Sequence, residues 1–276
     1  MNPVIVRRSL RSLIYIVLIL LAAMYLMPVY VVLVTSFKSN AQVNLSQMWN
    51  LPQSLSFSSI ASAWAQLGPN FLNSFELAIP ATIISALLGS LNGYVFAKWK
   101  FKGSNVLFFL VLFGMFIPYQ SVLIPLLRVL DTLGLYNTIA GLILVHVVYG
   151  IPIATLIFRN FYVAIPEELM EAGKIDGTGY WGIFRYIILP LSIPGFVVAG
   201  IWQFTQIWNN FLFAVSLTNP PYQPVTVALV NIAGSQTVQW SVQMASALIV
   251  SIPTLIVYIL LGKYFVRGLL AGSVKG

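Results

Sequence analysis

Apolar runs near residues 12–36, 71–97, 104–127, 138–158, 190–217 and 243–266 dominate this chain, and they are almost free of charge. Each is long enough to cross about 30 Å of hydrocarbon at 1.5 Å per residue. A backbone in lipid must satisfy its N–H and C=O groups internally, so such runs are predicted to be helices. They lack the period-2 alternation of a barrel strand. Charged residues make up 7% of the chain and hydrophobic residues 59%, against roughly 25% and 45–50% in soluble domains. Too few charges remain to cover a soluble surface. The expectation is an all-α polytopic membrane protein with six transmembrane helices, folded as a single domain over 1–276.

The basic residues orient the spans. With the N-terminus in the cytoplasm, Arg7, Arg8, Arg11, Lys98, Lys100, Lys102, Arg159, Lys174, Arg185, Lys263, Arg267 and Lys275 fall inside, and only Lys38 and Arg128 fall outside. The positive-inside rule then predicts an N-in, C-in chain. It also accounts for the net charge of +8 without invoking nucleic acid. The first run follows a basic segment, and it is longer than the ~7–15 residues of a signal-peptide core. It reads as a retained anchor. The absence of cysteine excludes disulfides and thiolate metal sites.

One polar patch interrupts the apolar pattern. Glu167, Glu168, Glu171 and Asp176 are four of the six acidic residues, and they stand in the longest inner loop, 159–190. "IPEELMEAGKID" reads as a short helix with Pro166 at its first position and acids at the positive end of the dipole. Ile165, Leu169 and Ala172 fall on one face, which is expected to pack. Glu167, Glu171 and Lys174 fall on the other. Asp176-Gly177 signals a turn. Tyr180, Phe184 and Ile187 then recur at helical spacing before Leu189-Pro190. A structured loop with a charged face fits docking to a cytoplasmic partner better than a slack, solvated loop.

These residues carry a resemblance. Glu171-Ala172-Gly173, Asp176-Gly177, Phe184, Ile187 and Leu189-Pro190 resemble the EAA loop of ABC importer permeases, whose pattern is E-A-A-x3-D-G-A followed by Phe, Ile and Leu-Pro. The chain departs from it at Gly173 and Thr178, where Ala is usual. Asn73-Ser74, Leu133-Gly134-Leu135-x-Asn137-Thr138, Trp208-Asn209-x-Phe211-Leu212 and Phe265-Val266-Arg267-Gly268-Leu269 are similar to MalG-like carbohydrate permeases. Asn210 replaces a Glu usual in that family.

The resemblance implies a type I ABC importer (MetI-like) permease fold in a prokaryotic cytoplasmic (inner) membrane. It implies coupling to an ATPase through Glu167, Glu168, Leu169, Glu171, Ala172, Gly173, Asp176, Gly177 and Phe184. It further implies a MalF-like second permease subunit, a cytoplasmic ATPase dimer, an extracytoplasmic solute-binding protein and a sugar substrate. ATP and magnesium would bind the ATPase. This chain carries no cofactor, no metal and no P-loop, since neither Gly-Lys pair is followed by Ser or Thr. It is a transport subunit rather than an enzyme, and the 267–276 tail is expected to be extended and to reach the ATPase.

Few ionisable groups lie inside the runs. His146 and Glu76 stand alone, so the carboxylate relay of a proton-driven carrier is missing. A lone His is more often structural than a ligand. Gln203, Gln206 and Asn210, with Asn209 beside them, share a helical face flanked by Trp202 and Trp208. Amides facing lipid would stay unsatisfied. They either line a sugar pathway or hold helices together.

Overall fold

The computed structural model describes residues 3–99, 101–235 and 238–271. The regular structure of the described residues is all helical, joined by turns and coil, with no strand. Among the described residues, four helices are long and apolar enough to cross a membrane unbroken, within α1 (Pro3–Ser36), α2 (Ser58–Lys98), α5 (Ile139–Val163) and the last helix (Trp240–Ala271). The other two predicted spans, 104–127 and 190–217, are broken.

Residues 104–127 divide into α3 (Ser104–Phe113) with a 3-10 turn to Phe116, and α4 (Tyr119–Thr132), bent by 98°. Pro118 is the cause. It lacks an N–H and forces its predecessor out of the helical region, and Ile117 adopts φ −74°, ψ 116°. The second break lies between Tyr180–Leu191 and α9 (Ile193–Trp208), bent by 73°. A further interruption at Asn209–Phe211 separates α9 from α10 (Leu212–Leu217). Composition alone reads straight through both, because the interrupting residues are few. Pro80, Pro125, Pro152 and Pro253, by contrast, stay inside their helices.

Two compact units are present. The first is built from Met1–Leu67 and Leu229–Val250. Its α1 exposes Leu13, Ile19, Met24 and Tyr25. The connection from α1 to α2 is pinned by Lys38, whose Nζ donates to the Gln47 carbonyl at 2.8 Å, and by Phe37 edge-on to Phe57 at 5.7 Å.

The second unit is built from Gly68–Ala228 and Ser251–Gly276. Its centre is the crossing of α2, α5 and α9. Gly89 and Gly93 of α2 let α5 approach so closely that a Cβ on Gly93 would stand 2.7 Å from Phe158 Cβ, and one on Gly89 would overlap Ala154. The loop 218–224 is held by motifs that sequence had singled out for another reason. Asn73 Nδ2 donates to the Pro221 carbonyl at 2.6 Å, Val225 N–H to Ser74 Oγ at 2.8 Å, and Asn219 N–H to Asn137 Oδ1 at 2.6 Å.

The last helix runs to Ala271, so 267–271 are helical rather than extended. Residues 272–276, and with them the end of the expected tail contact, lie outside the described residues.

Candidate functional site

The acidic patch folds into α6 (Glu168–Ile175). The helix starts two residues later than Pro166 suggests. Glu167 is the N-cap, and its carbonyl accepts from Met170 and Glu171 N–H. Glu168 and Glu171 lie in the first turn and Lys174 in the last, each at the end of the dipole that favours its charge.

Gly177 closes the helix at φ +75°. Its N–H donates to the Lys174 carbonyl at 3.0 Å, and Thr178 N–H to the Gly173 carbonyl at 2.9 Å. Those two bonds satisfy terminal carbonyls only when the residue after the cap is left-handed, where a Cβ is penalised. A Cβ on Gly177 would meet nothing within 4 Å, so the elbow faces open space.

The packed face of α6 differs from the expected one. Met170 and Gly173 are buried, whereas Leu169 is 43% and Ile175 86% exposed, with Ala172 also exposed. The absent side chain at Gly173 sets this rotation, because a Cβ there would lie 2.8 Å from Ile187 Cδ1. The exposed surface is therefore mixed: Leu169, Ala172 and Ile175 alternate with Glu168, Glu171 and Lys174.

After the elbow the chain continues as α7 (Tyr180–Ile183), a π-helical turn (Phe184–Ile188) and α8 (Leu189–Leu191). Pro190 cannot donate a ladder hydrogen bond, and the wider turn falls just before it. Phe184 is buried and lies beneath the exposed patch rather than on it. Met170, Ile183, Phe184 and Ile188 join Tyr94 of α2 and Phe158 and Tyr162 of α5 in one apolar cluster. Tyr180 lies between Tyr94, 4.4 Å away by ring centroids, and Trp99, 4.0 Å away. Lys98 Nζ donates to the Ile165 carbonyl at 2.6 Å. The sequence reading missed Met170 and Tyr94. The available signal for Met170 was Gly173 itself, one helical turn away on the same face.

The amides on α9 belong to a second feature, a cavity of about 340 Å³ among α4, α5, α9 and α10. Gln203, Gln206, Asn209 and Asn210 all line it, but with different tasks. Gln203 is buried and donates to the Gly150 carbonyl at 2.6 Å, so it joins helices. Asn210 lies beyond the end of α9, and its Oδ1 accepts from Phe213 N–H at 3.0 Å. It caps the chain break rather than continuing a helical face. Gln206 and Asn209 are exposed. Trp202 lines the cavity, whereas Trp208 is buried elsewhere, stacked on Phe204 and against Phe71 and Phe75. His146 is buried in the cavity wall with Nε2 unpartnered. Glu76 is exposed on α2, away from this lining.

Comparison with known proteins agrees with this architecture. Residues 86–270 match the family model described as "Binding-protein-dependent transport system inner membrane component". The chain is 49% identical to a probable ABC transporter permease protein of Pyrococcus horikoshii, over 96% of this chain and 98% of that one. It is 35% identical to a xylose/arabinose import permease protein of Haloferax volcanii, over 92% and 90%. In fold it resembles a chain of a bacterial ABC transporter involved in the import of the acidic polysaccharide alginate, with TM-score 0.83 and 21% identity over 94% and 97%. The chain belongs to the binding-protein-dependent transport system inner membrane components, the permeases of ABC transporters.

Proposed function

We propose that this chain is one of two permease subunits of an ATP-driven importer that carries a mono- or oligosaccharide across the cytoplasmic membrane of a prokaryote by alternating access. The observation that carries the reading is the surface of α6. Leu169, Ala172 and Ile175 are exposed beside Glu168 and Glu171, while Met170 and Gly173 tie the helix to the core. Exposed apolar residues in a short helix favour a partner, and its acidic side chains disfavour an anionic lipid surface. A protein groove is the occupant that fits.

In this reading Glu167, Glu168, Leu169, Glu171, Ala172, Gly173, Asp176 and Gly177 form the plug for a cytoplasmic ATPase dimer, which binds ATP and Mg. Phe184 passes its motion to α2 and α5. The remaining partners are a MalF-like second permease subunit and an extracytoplasmic solute-binding protein. The chain forms one transmembrane permease domain with six spans, N-in and C-in, the two bent pairs each serving as one span. Support for a sugar comes from the xylose/arabinose relative and from the amide and aromatic lining of the cavity.

The test is reconstitution in proteoliposomes with the candidate partners and a loaded binding protein. ATP-dependent sugar uptake is expected, lost when this chain is omitted. Uptake that needs no ATP would overturn the reading.

A further inference from the structure

We infer that the cavity among α4, α5, α9 and α10 is a subsite for one uncharged sugar unit, so that this chain contacts the cargo itself. The inference rests on the sugar-importer reading and specifies its cargo. Four observations carry it. The cavity of about 340 Å³ lies at the small end of ligand pockets, a size suited to a sugar ring. Its lining contains no Asp, Glu, Lys or Arg, so nothing there balances a uronate or an ammonium. His146 lines the cavity at 6% exposure, and its Nε2, itself closed to solvent, has no partner. Trp202 and Tyr119 remain 42% and 40% exposed within the lining, and Tyr119 is held edge-on to Tyr149 at 5.1 Å.

These features match one chemistry. A buried imidazole nitrogen without a partner is unfavourable, and a hydroxyl can donate to it or accept from it in either tautomer. Gln206 and Asn209 add exposed amides for neighbouring hydroxyls. The C–H face of a pyranose lies flat on an indole or phenol ring, burying apolar area as any hydrocarbon would. Gln203 is not available to the cargo, because its amide is committed to the Gly150 carbonyl. A quaternary ammonium would suit the aromatic rings but leave His146, Gln206 and Asn209 without hydrogen bonds.

The experiment uses vesicles holding the complete importer, with radiolabelled glucose, xylose and maltose, and glucuronate and glycine betaine as charged comparators. The wild type is expected to take up at least one neutral sugar and neither comparator. His146→Leu and Trp202→Ala are each expected to lower that uptake about tenfold. His146→Gln, which keeps a hydrogen-bonding group, should retain most of it. Neutral-sugar uptake that survives both substitutions overturns the subsite and leaves the importer reading intact. Equal losses in His146→Leu and His146→Gln, with ATPase co-purification falling in parallel, also overturn it, because that pattern marks a structural role. Wild-type vesicles that take up only glucuronate overturn the uncharged-sugar subsite and leave the sugar-importer reading intact, whereas uptake of glycine betaine alone overturns both readings.

Discussion

Tyr94 stacks on Tyr180, with ring centroids 4.4 Å apart and planes inclined by 26°, and its hydroxyl donates to the Tyr180 carbonyl at 3.3 Å. One residue belongs to α2 and the other starts the segment after the Gly177 elbow. Such a ring pair is worth about 0.5–1.5 kcal/mol beyond its buried area. A double-mutant cycle of Tyr94→Leu and Tyr180→Leu should show a coupling of about 1 kcal/mol in the thermal stability of the purified chain. ATP-coupled uptake should fall in both single variants, and strictly additive stability losses would remove the stack from the transmission route.

Gly177→Asp should leave the chain in the membrane with its permease partner but without its ATPase. Forcing a side chain into the left-handed region costs about 1–2 kcal/mol per residue, and the new carboxylate adds charge at an elbow that faces open space. Gly177→Asn isolates the charge, since Asn and Asp both tolerate that backbone region. It should retain more ATPase than the Asp variant. The measurement is ATPase co-purification beside sugar uptake, and full retention in the Asp variant would sink the coupling assignment.

Leu169→Glu should weaken ATPase binding about tenfold or more without destabilising the chain, because Leu169 is exposed and a buried apolar anchor carries interface energy. Met170→Glu should instead unfold the loop, since Met170 is buried against Ile183 and Tyr94 in one cluster. Protease sensitivity of residues 159–190, compared with co-purification, distinguishes them. Equal effects from the two variants would return the packed face to Leu169 and Ala172.

Much of this arrangement was readable from residue order. The acids, the elbow and the second short helix follow from Glu167–Glu171, Asp176-Gly177 and the Tyr180, Phe184 spacing. The rotation of α6 was not, because a helix advances 100° per residue and an apolar face read from Ile165, Leu169 and Ala172 lies only one step from Met170 and Gly173. What decides between them is the approach of Ile187 to Gly173, a tertiary fact. The broken runs were obscured for a related reason. Composition averages over a window, whereas Pro118 and Asn210 act at single peptide units. The split of the α9 amides also needed neighbours: Gln203 finds Gly150 on another helix, and Asn210 finds a local backbone N–H.

Gly93→Val should destabilise the chain by about 1–3 kcal/mol, the usual range for overpacking. Its Cβ would stand 2.7 Å from Phe158 Cβ and 2.8 Å from the Arg159 backbone nitrogen, and neither can swing aside. The check is the melting temperature in detergent, with Gly200→Ala, where the added atom meets nothing within 4 Å, as the neutral comparison.

Single cysteines report the topology, because the chain has none of its own. Ser58→Cys and Ser235→Cys should react with an impermeant thiol reagent from outside, and Ser104→Cys should not. External labelling at Ser104 would overturn the six-span, N-in arrangement.

The tight crossing at Gly89 and Gly93 turns α5 into a lever. The close approach of α2 to Ala154 and Phe158 resists sliding of one helix past the other. Phe158 lies at the end that touches the elbow segment, and His146 lies 12 residues away along the same helix, about 18 Å at 1.5 Å per residue. A tilt of about 10° pivoting at Phe158 would carry His146 through about 3 Å. That is roughly the length of a hydrogen bond, so a tilt of that size at the elbow end would be comparable to the reach of a single contact in the cavity.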